Sequence, residues 1–294
     1  MATLRLLTGA FAVIYFMVRA PVMASFASFG AAQFEPVGLA RVLPAPLPAG
    51  AVLSLYLAAI GFGLLFTLGA WFRVTGPGFA LLALWVTSYR NSWGMVFHTD
   101  NLIVVHLGVL ALSDAAAALS LDARGRAAPA PDGRFGWPVR LICAVTVLAY
   151  VLAGIAKLKA SGWSWMAGET LRNYIAFDAV RKEQIGSVHS PFGAWLVQLA
   201  WPFPVIGTLT MALELLGPLA LLHRRAAQLW VAGVYGFHAG VLATMAIAFP
   251  YPLSGVAFAS FFACERLWER PTLGRIAGWL EGRRTPVADG GGPG

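Results

Sequence analysis

Long apolar runs alternate with short polar segments along almost the whole chain. A helix that crosses a bilayer needs about 20 mainly apolar residues, and eight runs come close to that length. They cover residues 5–28, 51–72, 76–97, 101–120, 137–157, 203–222, 227–249 and 251–267. A shorter apolar stretch between Phe192 and Pro202 predicts an interfacial or re-entrant helix. The pattern therefore predicts an all-α integral membrane protein, a bundle of about eight transmembrane helices.

The polar segments divide this bundle and mark its surfaces. Residues 121–136, rich in proline and glycine, predict a linker between two halves of four spans each. Residues 158–190 contain enough charged and turn residues for a cap of short surface helices, with Trp163 and Trp165 as interfacial anchors. We expect a polytopic membrane domain over residues 1–268 and a cytoplasmic tail over 269–294 that is disordered at its end.

Composition and charge agree with a membrane protein and exclude other classes. Hydrophobic residues make up 59% of the chain and charged residues 12%. The net charge of +8 comes from basic residues in separate loops and not in one patch, so no nucleic-acid partner is expected. Most of the 21 lysine and arginine residues fall on one side if the N-terminus is cytoplasmic. This bias predicts an N-in and C-in topology. Cys143 and Cys264 lack the spacing of a redox or zinc motif, and no metal site is predicted.

Several polar residues lie within the predicted spans, mostly in the outer half. A charged group in hydrocarbon is costly unless it is paired or used. We expect Glu214 to be buried and paired with Arg19 or Arg90. The structural interpretation is that such pairs, and histidines bonded to backbone carbonyls, only stabilise the bundle. The functional interpretation is a cavity on the level of Lys157, where these groups bind a ligand.

Lys157 closes an uncharged apolar run at the outer end of its span. Helical spacing places Tyr150, Gly154 and Lys157 on one face, and Gly154 allows a neighbouring helix or ligand to come close. A partly desolvated amine can act as a base, whereas a snorkelling lysine would only mark the membrane surface. Lys159 is rotated by about 200°, so it should face headgroups or solvent. We expect Lys157 and His238 to line the same cavity.

Three short segments resemble vitamin K-dependent gamma-glutamyl carboxylase. They are Tyr150-x-x-Ala-Gly-Ile-x-Lys157-Leu followed by Trp165-x-x-Gly168, then Gly236-Phe237-His238, and His98-Thr-Asp-Asn101-Leu. Their order resembles that of the horizontally transferred transmembrane (HTTM) domain, which the carboxylase shares with many bacterial proteins. The resemblance implies a reduced isoprenoid quinone, vitamin K-like, as cofactor, and a multi-pass protein of the bacterial inner membrane.

The expected catalytic residues follow from the same resemblance, and the polar groups within the spans add residues for substrate binding. It implies that Lys157 is the catalytic base, that His238 is catalytic, and that His98 matches the second family histidine approximately. The residues that we expect to bind substrate are Tyr150, Arg19, Arg90, Glu214 and Trp165. The chain ends shortly after its last predicted span, whereas the carboxylase has a large luminal region for its propeptide, so carboxylation of protein glutamates is not expected.

Two hypotheses for the function stay open. The first is a carboxylase-like membrane enzyme that acts on a quinone or lipid-like substrate at the outer membrane face, with Lys157 as base. The alternative is a non-catalytic membrane subunit that helps to assemble or mature a partner protein or peptide. Membrane lipid is a partner in both. A transporter is less favoured, because the two halves lack paired broken helices.

Overall fold

The computed structural model describes residues 1–127, 129–130, 132–270, 273–274 and 276–278, except the side chain of residue 27. Within these residues the chain is helical and contains no strand. It forms two compact units, which we describe separately. The first comprises Met1–Val139 with the described residues from Ala263 onward, and the second comprises Arg140–Phe262.

The first unit is built around four helices in chain order. They are α1 (Ala2–Ser25), α2 (Ala49–Leu68), α3 (Phe72–Asn91) and α4 (His98–Ala111). Each packs against the next, and α1 also packs against α4. Their core contains Phe16, Phe66 and Phe79, which are almost completely buried. Gly63 of α2 lets the ring of Phe79 approach closely, because a Cβ there would lie 2.8 Å from that ring.

Charged side chains of this unit satisfy backbone groups at helix ends. Asp122 accepts the N–H groups of Trp71 and Phe72, at 2.8 and 2.7 Å, and thereby caps the start of α3. Arg5 is fully buried and donates to the carbonyl oxygens of Ala115 and Leu119 in the turns after α4. Arg5 is therefore a structural group and not one of the exposed charges that face a membrane surface.

The second unit contains six helices. They are α5 (Gly136–Ser161, of which the part from Arg140 belongs here), α6 (Glu169–Gln184), α7 (Pro191–Leu196), α8 (Pro202–Leu215), α9 (Arg224–Met245) and α10 (Pro250–Leu253). Two basic residues fix α6 to its neighbours. Arg172 donates to the carbonyl oxygen of Val197 at 2.6 Å, and Lys182 donates to the carbonyl oxygen of Met245. The polar segment 158–190 thus contains a well-anchored helix, in agreement with its prediction as helical.

Four helices in the described part of the chain are long and apolar enough to cross a membrane. They are α1, α2, α9 and α5 with its flanking turns, Gly133–Ser164. Each coincides with a predicted span. The apolar helix α8 has 14 residues and α4 also has 14, both shorter than the runs that predicted them. α3 has 20 residues but is less apolar. The predicted count of about eight spans is therefore not confirmed, and neither is the orientation.

The last predicted span, 251–267, differs most from the structure. A four-residue helix, α10, is followed by two 3-10 segments, Val256–Phe261 and Cys264–Glu269. Pro252 cannot donate a backbone hydrogen bond, and Gly255 has a left-handed conformation with φ of 75°, so a continuous helix is interrupted there. Of the predicted tail, the segment 279–294 lies outside the described residues.

Candidate functional site

Lys157 and Glu214 form an ion pair between α5 and α8. The Lys157 ammonium donates to Oε1 of Glu214. The Glu214 side chain is 4% exposed and the Lys157 side chain 21%, so the lysine is the accessible member of the pair. Gly154 makes the pair possible, because a Cβ there would lie 2.9 Å from Leu215 and 3.0 Å from the Cβ of Glu214. The predicted close approach at Gly154 is confirmed.

Two aromatic rings flank the Lys157 ammonium. The nitrogen lies 4.9 Å from the ring centroid of Trp165 and 5.4 Å from that of Phe237 on α9, within the range of cation–π attraction. Trp165 is held by a hydrogen bond of 3.3 Å from its Nε1 to Thr210. Both rings are only partly buried. They leave aromatic surface beside a charged group, a combination that suits a planar ligand.

The Trp165-x-x-Gly168 segment is held against α8 by close backbone contacts. Gly168 has a φ of +86°, and a Cβ there would lie 2.4 Å from the carbonyl carbon of Phe203. Gly207 of α8 makes the reciprocal approach, because its Cβ would lie 2.3 Å from the carbonyl oxygen of Trp165. Glycine at both positions allows Trp165 to reach Lys157. The motif is therefore explained as a packing element that positions an aromatic ring.

Tyr150 and His238 share a hydrogen bond in the same unit. The Tyr150 hydroxyl and His238 Nε2 lie 2.7 Å apart, and both side chains are buried. Trp230 meets Tyr150 edge-on at 5.2 Å, and Phe249 lies 5.0 Å from His238 between ring centroids. His238 directly follows Phe237, the ring that flanks Lys157. Lys157 and His238 thus belong to the same unit, and their lining of one cavity stays a prediction.

The carboxylate of Glu214 is only half satisfied. Its Oε1 accepts from Lys157, whereas its Oε2 is buried and has no hydrogen-bond partner among the described residues. Buried carboxylate oxygens are normally bonded, so this atom is an unusual feature. Chemically, the site combines an amine and a carboxylate in direct contact, a carboxylate oxygen without a donor among the described residues, and two aromatic rings.

A second buried ion pair lies in the first unit. Arg90 Nη1 donates to both oxygens of Asp100, at 2.8 and 2.7 Å, and to the Tyr15 hydroxyl at 2.7 Å. Tyr15 in turn donates to Asp100 at 2.8 Å. The Arg90 guanidinium lies 3.9 Å from the ring centroid of Phe97, and that of Arg19 lies 5.5 Å from the centroid of Tyr15. This cluster joins α1, α3 and the start of α4.

The structure corrects the predicted pairing of Glu214. Its partner is Lys157 and not Arg19 or Arg90, and Arg90 instead pairs with Asp100. Arg19, Arg90 and His98 belong to the first unit, whereas the other predicted site residues belong to the second. His98 is exposed at the first residue of α4. Lys159 is also exposed, as predicted from its rotation away from Lys157.

Sequence reasoning missed several residues that the structure brings to these clusters. Asp100 could have been found, because it stands two residues after His98 at the start of an apolar run. Tyr15 stands four residues before Arg19, on the same helical face. Phe237 was noted only as part of a motif, and Thr210 carries no signal that separates it from other hydroxyl residues in apolar helices.

The fold and the site together define a helical membrane domain with an ion pair between a partly exposed lysine and a buried glutamate. The family model described as "HTTM domain" matches residues 1–268 of the 294-residue chain, and the chain belongs to this family. Its resemblance to the carboxylase is a known relationship of the family. Comparison with curated proteins and with solved structures returns no match.

Proposed function

We propose that this protein is a membrane-embedded enzyme that moves a proton between Lys157 and a ring hydroxyl of a reduced isoprenoid quinone or a similar lipid. The observation that supports this most is the geometry around Lys157. A partly accessible amine is paired with a buried carboxylate and flanked by two partly exposed rings. Structural lysines that only snorkel need neither a buried counter-ion nor aromatic walls.

The residues present fit such a ligand. Trp165 and Phe237 offer ring faces for stacking, and the bonded pair of Tyr150 and His238 adds polar groups within the same unit. The Oε2 of Glu214 is buried and has no donor among the described residues, so a ligand hydroxyl would satisfy it once the side chains around it move aside. A reduced quinone, when bound, supplies an acidic hydroxyl and two electrons. Trp165 and Phe237 would orient its ring, and Lys157 would face the hydroxyl.

Proton transfer to Lys157 requires the amine to be neutral first. Glu214 can accept the lysine proton, because a neutral amine and carboxylic acid are tolerated in a low-dielectric setting better than separated charges. The pair then holds one mobile proton between two atoms in direct contact. Lys157 then takes the substrate proton as general base. This leaves an ammonium, a protonated Glu214 and the substrate anion, and the Lys157 ammonium stabilises that anion.

The membrane arrangement is part of this proposal. The protein crosses the bacterial inner membrane about eight times, with both termini in the cytoplasm and the Lys157 end of α5 at the outer face. A quinone dissolved in the bilayer would reach the site laterally, near the aromatic residues of the outer boundary. The positive charges of the segments between the spans support this orientation.

Paired arginine substitutions test the role of Lys157. The full-length protein in nanodiscs would receive a reduced naphthoquinone. Deprotonation of the ring hydroxyl promotes oxidation of the ring by dioxygen, so quinol-dependent oxygen uptake would be measured. Lys157→Arg should abolish the uptake, because a guanidinium keeps the positive charge but does not release its proton in this pH range. Lys159→Arg is the matched control and should keep the activity, since Lys159 is exposed.

Folding and ligand content are checked in the same samples. Size-exclusion profiles of the two variants should match that of the unmodified protein, and mass spectrometry should find a quinone in its extracted lipid. Equal activity of the two arginine variants would contradict the catalytic role of Lys157. Absence of quinol-dependent oxygen uptake by the unmodified protein would instead favour a non-catalytic membrane subunit.

A further inference from the structure

The free oxygen of Glu214 gives the site a chemical preference. A carboxylate can only accept hydrogen bonds, whereas the neighbouring Lys157 ammonium can only donate them. The Lys157 contact occupies Oε1, and Oε2 has no donor among the described residues although Glu214 is 3% exposed. Burying a carboxylate oxygen without a donor is costly. A ligand that brings a donor to this oxygen therefore gains more than one that brings a second acceptor.

We propose that Glu214 makes the site selective for an aromatic ring with a free hydroxyl over the same ring with only acceptor oxygens. This inference rests on the proposed function and specifies its substrate form: the reduced, hydroxyl-bearing ring binds, and the oxidised or alkylated ring is rejected. On binding, while the ion pair is intact and before the Lys157 proton moves to Glu214, a hydroxyl donates to Glu214 and accepts from Lys157. A carbonyl or ether oxygen accepts from Lys157 but places its lone pairs against the carboxylate.

The position of the rings supports this orientation of the ligand. Trp165 and Phe237 lie 4.9 and 5.4 Å from the Lys157 nitrogen, so a ring stacked on either face brings its substituent near the ion pair. Trp165 is fixed by Thr210 and by the close approach of Gly207 to its backbone. The Trp165 ring is thus held in place, and a ligand ring stacked on it directs its polar end to Lys157 and Glu214.

A purely structural role for Glu214 makes the opposite prediction. If the carboxylate only neutralises Lys157, the site should bind a ring hydroxyl and the corresponding methyl ether with equal affinity. The two roles are therefore separated by ligand preference and not by stability. Loss of stability on substitution of Glu214 is expected in both cases, because it leaves Lys157 without its counter-ion.

The test compares two ligands that differ by one methyl group, 1-naphthol and 1-methoxynaphthalene. Their binding to the detergent-solubilised full-length protein is measured by equilibrium dialysis, relative to protein-free micelles. The unmodified protein should prefer the naphthol by about tenfold or more, because a hydrogen bond to a charged group is gained or lost. Equal binding of the two ligands would overturn the inference.

A substitution of Glu214 and a matched control test whether the preference depends on Glu214. In Glu214→Gln, the amide oxygen faces the Lys157 ammonium and the NH₂ group takes the position of Oε2. A donor then replaces the acceptor, and the preference should fall below about twofold. Glu183→Gln, at an exposed residue of α6, is the matched control and should keep the full preference. A Glu214→Gln protein that keeps it would also overturn the inference.

If the single variant does not fold, the double variant Lys157→Met with Glu214→Leu removes both charges together. Apolar replacement of a whole buried pair is tolerated far better than loss of one partner, and this variant should also lose the preference. The outcomes separate the two proposals. If the unmodified protein binds the two ligands equally and the Lys157→Arg variant is inactive, the proposed enzyme function stands and the proposed selectivity is refuted. If the unmodified protein strongly prefers the naphthol and the Lys157→Arg variant is active, the selectivity stands and the role of Lys157 as base is refuted.

Discussion

At the scale of single residues, the two buried ion pairs differ in how fully their charges are satisfied. Both oxygens of Asp100 are bonded, by Arg90 and Tyr15, and the side chains of the Arg90–Asp100 pair are 5% and 0% exposed. Glu214 has one bonded oxygen, and its partner Lys157 is 21% exposed. The first pair is therefore closed to ligands and suits a structural role. The Lys157–Glu214 pair retains a carboxylate oxygen without a donor and a partly accessible amine.

The closed pair should contribute strongly to stability. Asp100→Asn leaves Arg90 buried beside a neutral amide, and removing one partner of a buried pair costs about 3–5 kcal/mol. We expect a correspondingly lower midpoint of thermal unfolding in detergent. Asp114→Asn is the control, because the Asp114 and Arg134 side chains are 57% and 55% exposed and 3.6 Å apart. It should change stability by about 1 kcal/mol or less, and equal effects of the two substitutions would contradict the structural role.

Spacing along one helix was enough to predict part of the site. Tyr150, Gly154 and Lys157 share a face, and all three make contacts of the site. The partner of Glu214 could not be predicted, because helical periodicity gives the direction of a side chain and not the helix that it meets. Lys157 and Glu214 are separated by 57 residues, and any of several buried cations satisfied the same electrostatic argument.

At the scale of elements, the end of α8 decides the environment of Glu214. The apolar run 203–222 predicted a full span, but α8 ends at Leu215 and continues as a 3-10 segment, Gly217–Leu221. Pro218, inside that segment, accounts for the break. Glu214 therefore lies in the last turn of α8, where the helix dipole disfavours a carboxylate. The Lys157 ammonium offsets this penalty, so the end of α8 and the ion pair depend on each other.

The contact between α8 and the Trp165 segment should be sensitive to one added methyl group. In Gly207→Ala the new Cβ would lie 2.3 Å from the carbonyl oxygen of Trp165. Backbone must then move, at a cost of about 1–3 kcal/mol for overpacking, and ligand binding should weaken because Trp165 is displaced. Thermal unfolding and the naphthol dialysis measure the two effects.

Gly240→Ala provides the control for this substitution. Gly240 lies within α9, and a Cβ there meets nothing within 4 Å. Alanine has the higher helix propensity, by about 1 kcal/mol, so this variant should be as stable as the unmodified protein or more stable. A Gly207→Ala protein that behaves like Gly240→Ala would show that the two segments do not pack as closely as described.

At the scale of the whole molecule, the charge bias that predicts the orientation does not depend on every basic residue. Arg5 is fully buried and bonded to carbonyl oxygens, so it does not face a membrane surface. Arg124, Arg126, Arg224 and Arg225 are exposed in the segments assigned to the cytoplasm. These four residues maintain the excess of positive charge on the predicted cytoplasmic side without Arg5. Orientation is a property of the chain in its membrane. The sequence predicts it through the distribution of charge, and helix packing alone does not decide it.

Cysteine labelling tests this orientation directly. In a background in which Cys143 and Cys264 are replaced by alanine, Ser161→Cys places a thiol just beyond Lys157 and Ala127→Cys places one in the predicted inner linker. A membrane-impermeant maleimide added to intact cells should label residue 161 and not residue 127, and permeabilisation should expose both. The positive-inside bias is the physical reason. Labelling of residue 127 alone in intact cells would reverse the topology and place Lys157 at the cytoplasmic face, although the contacts of Lys157 with Glu214, Trp165 and Phe237 would be unchanged.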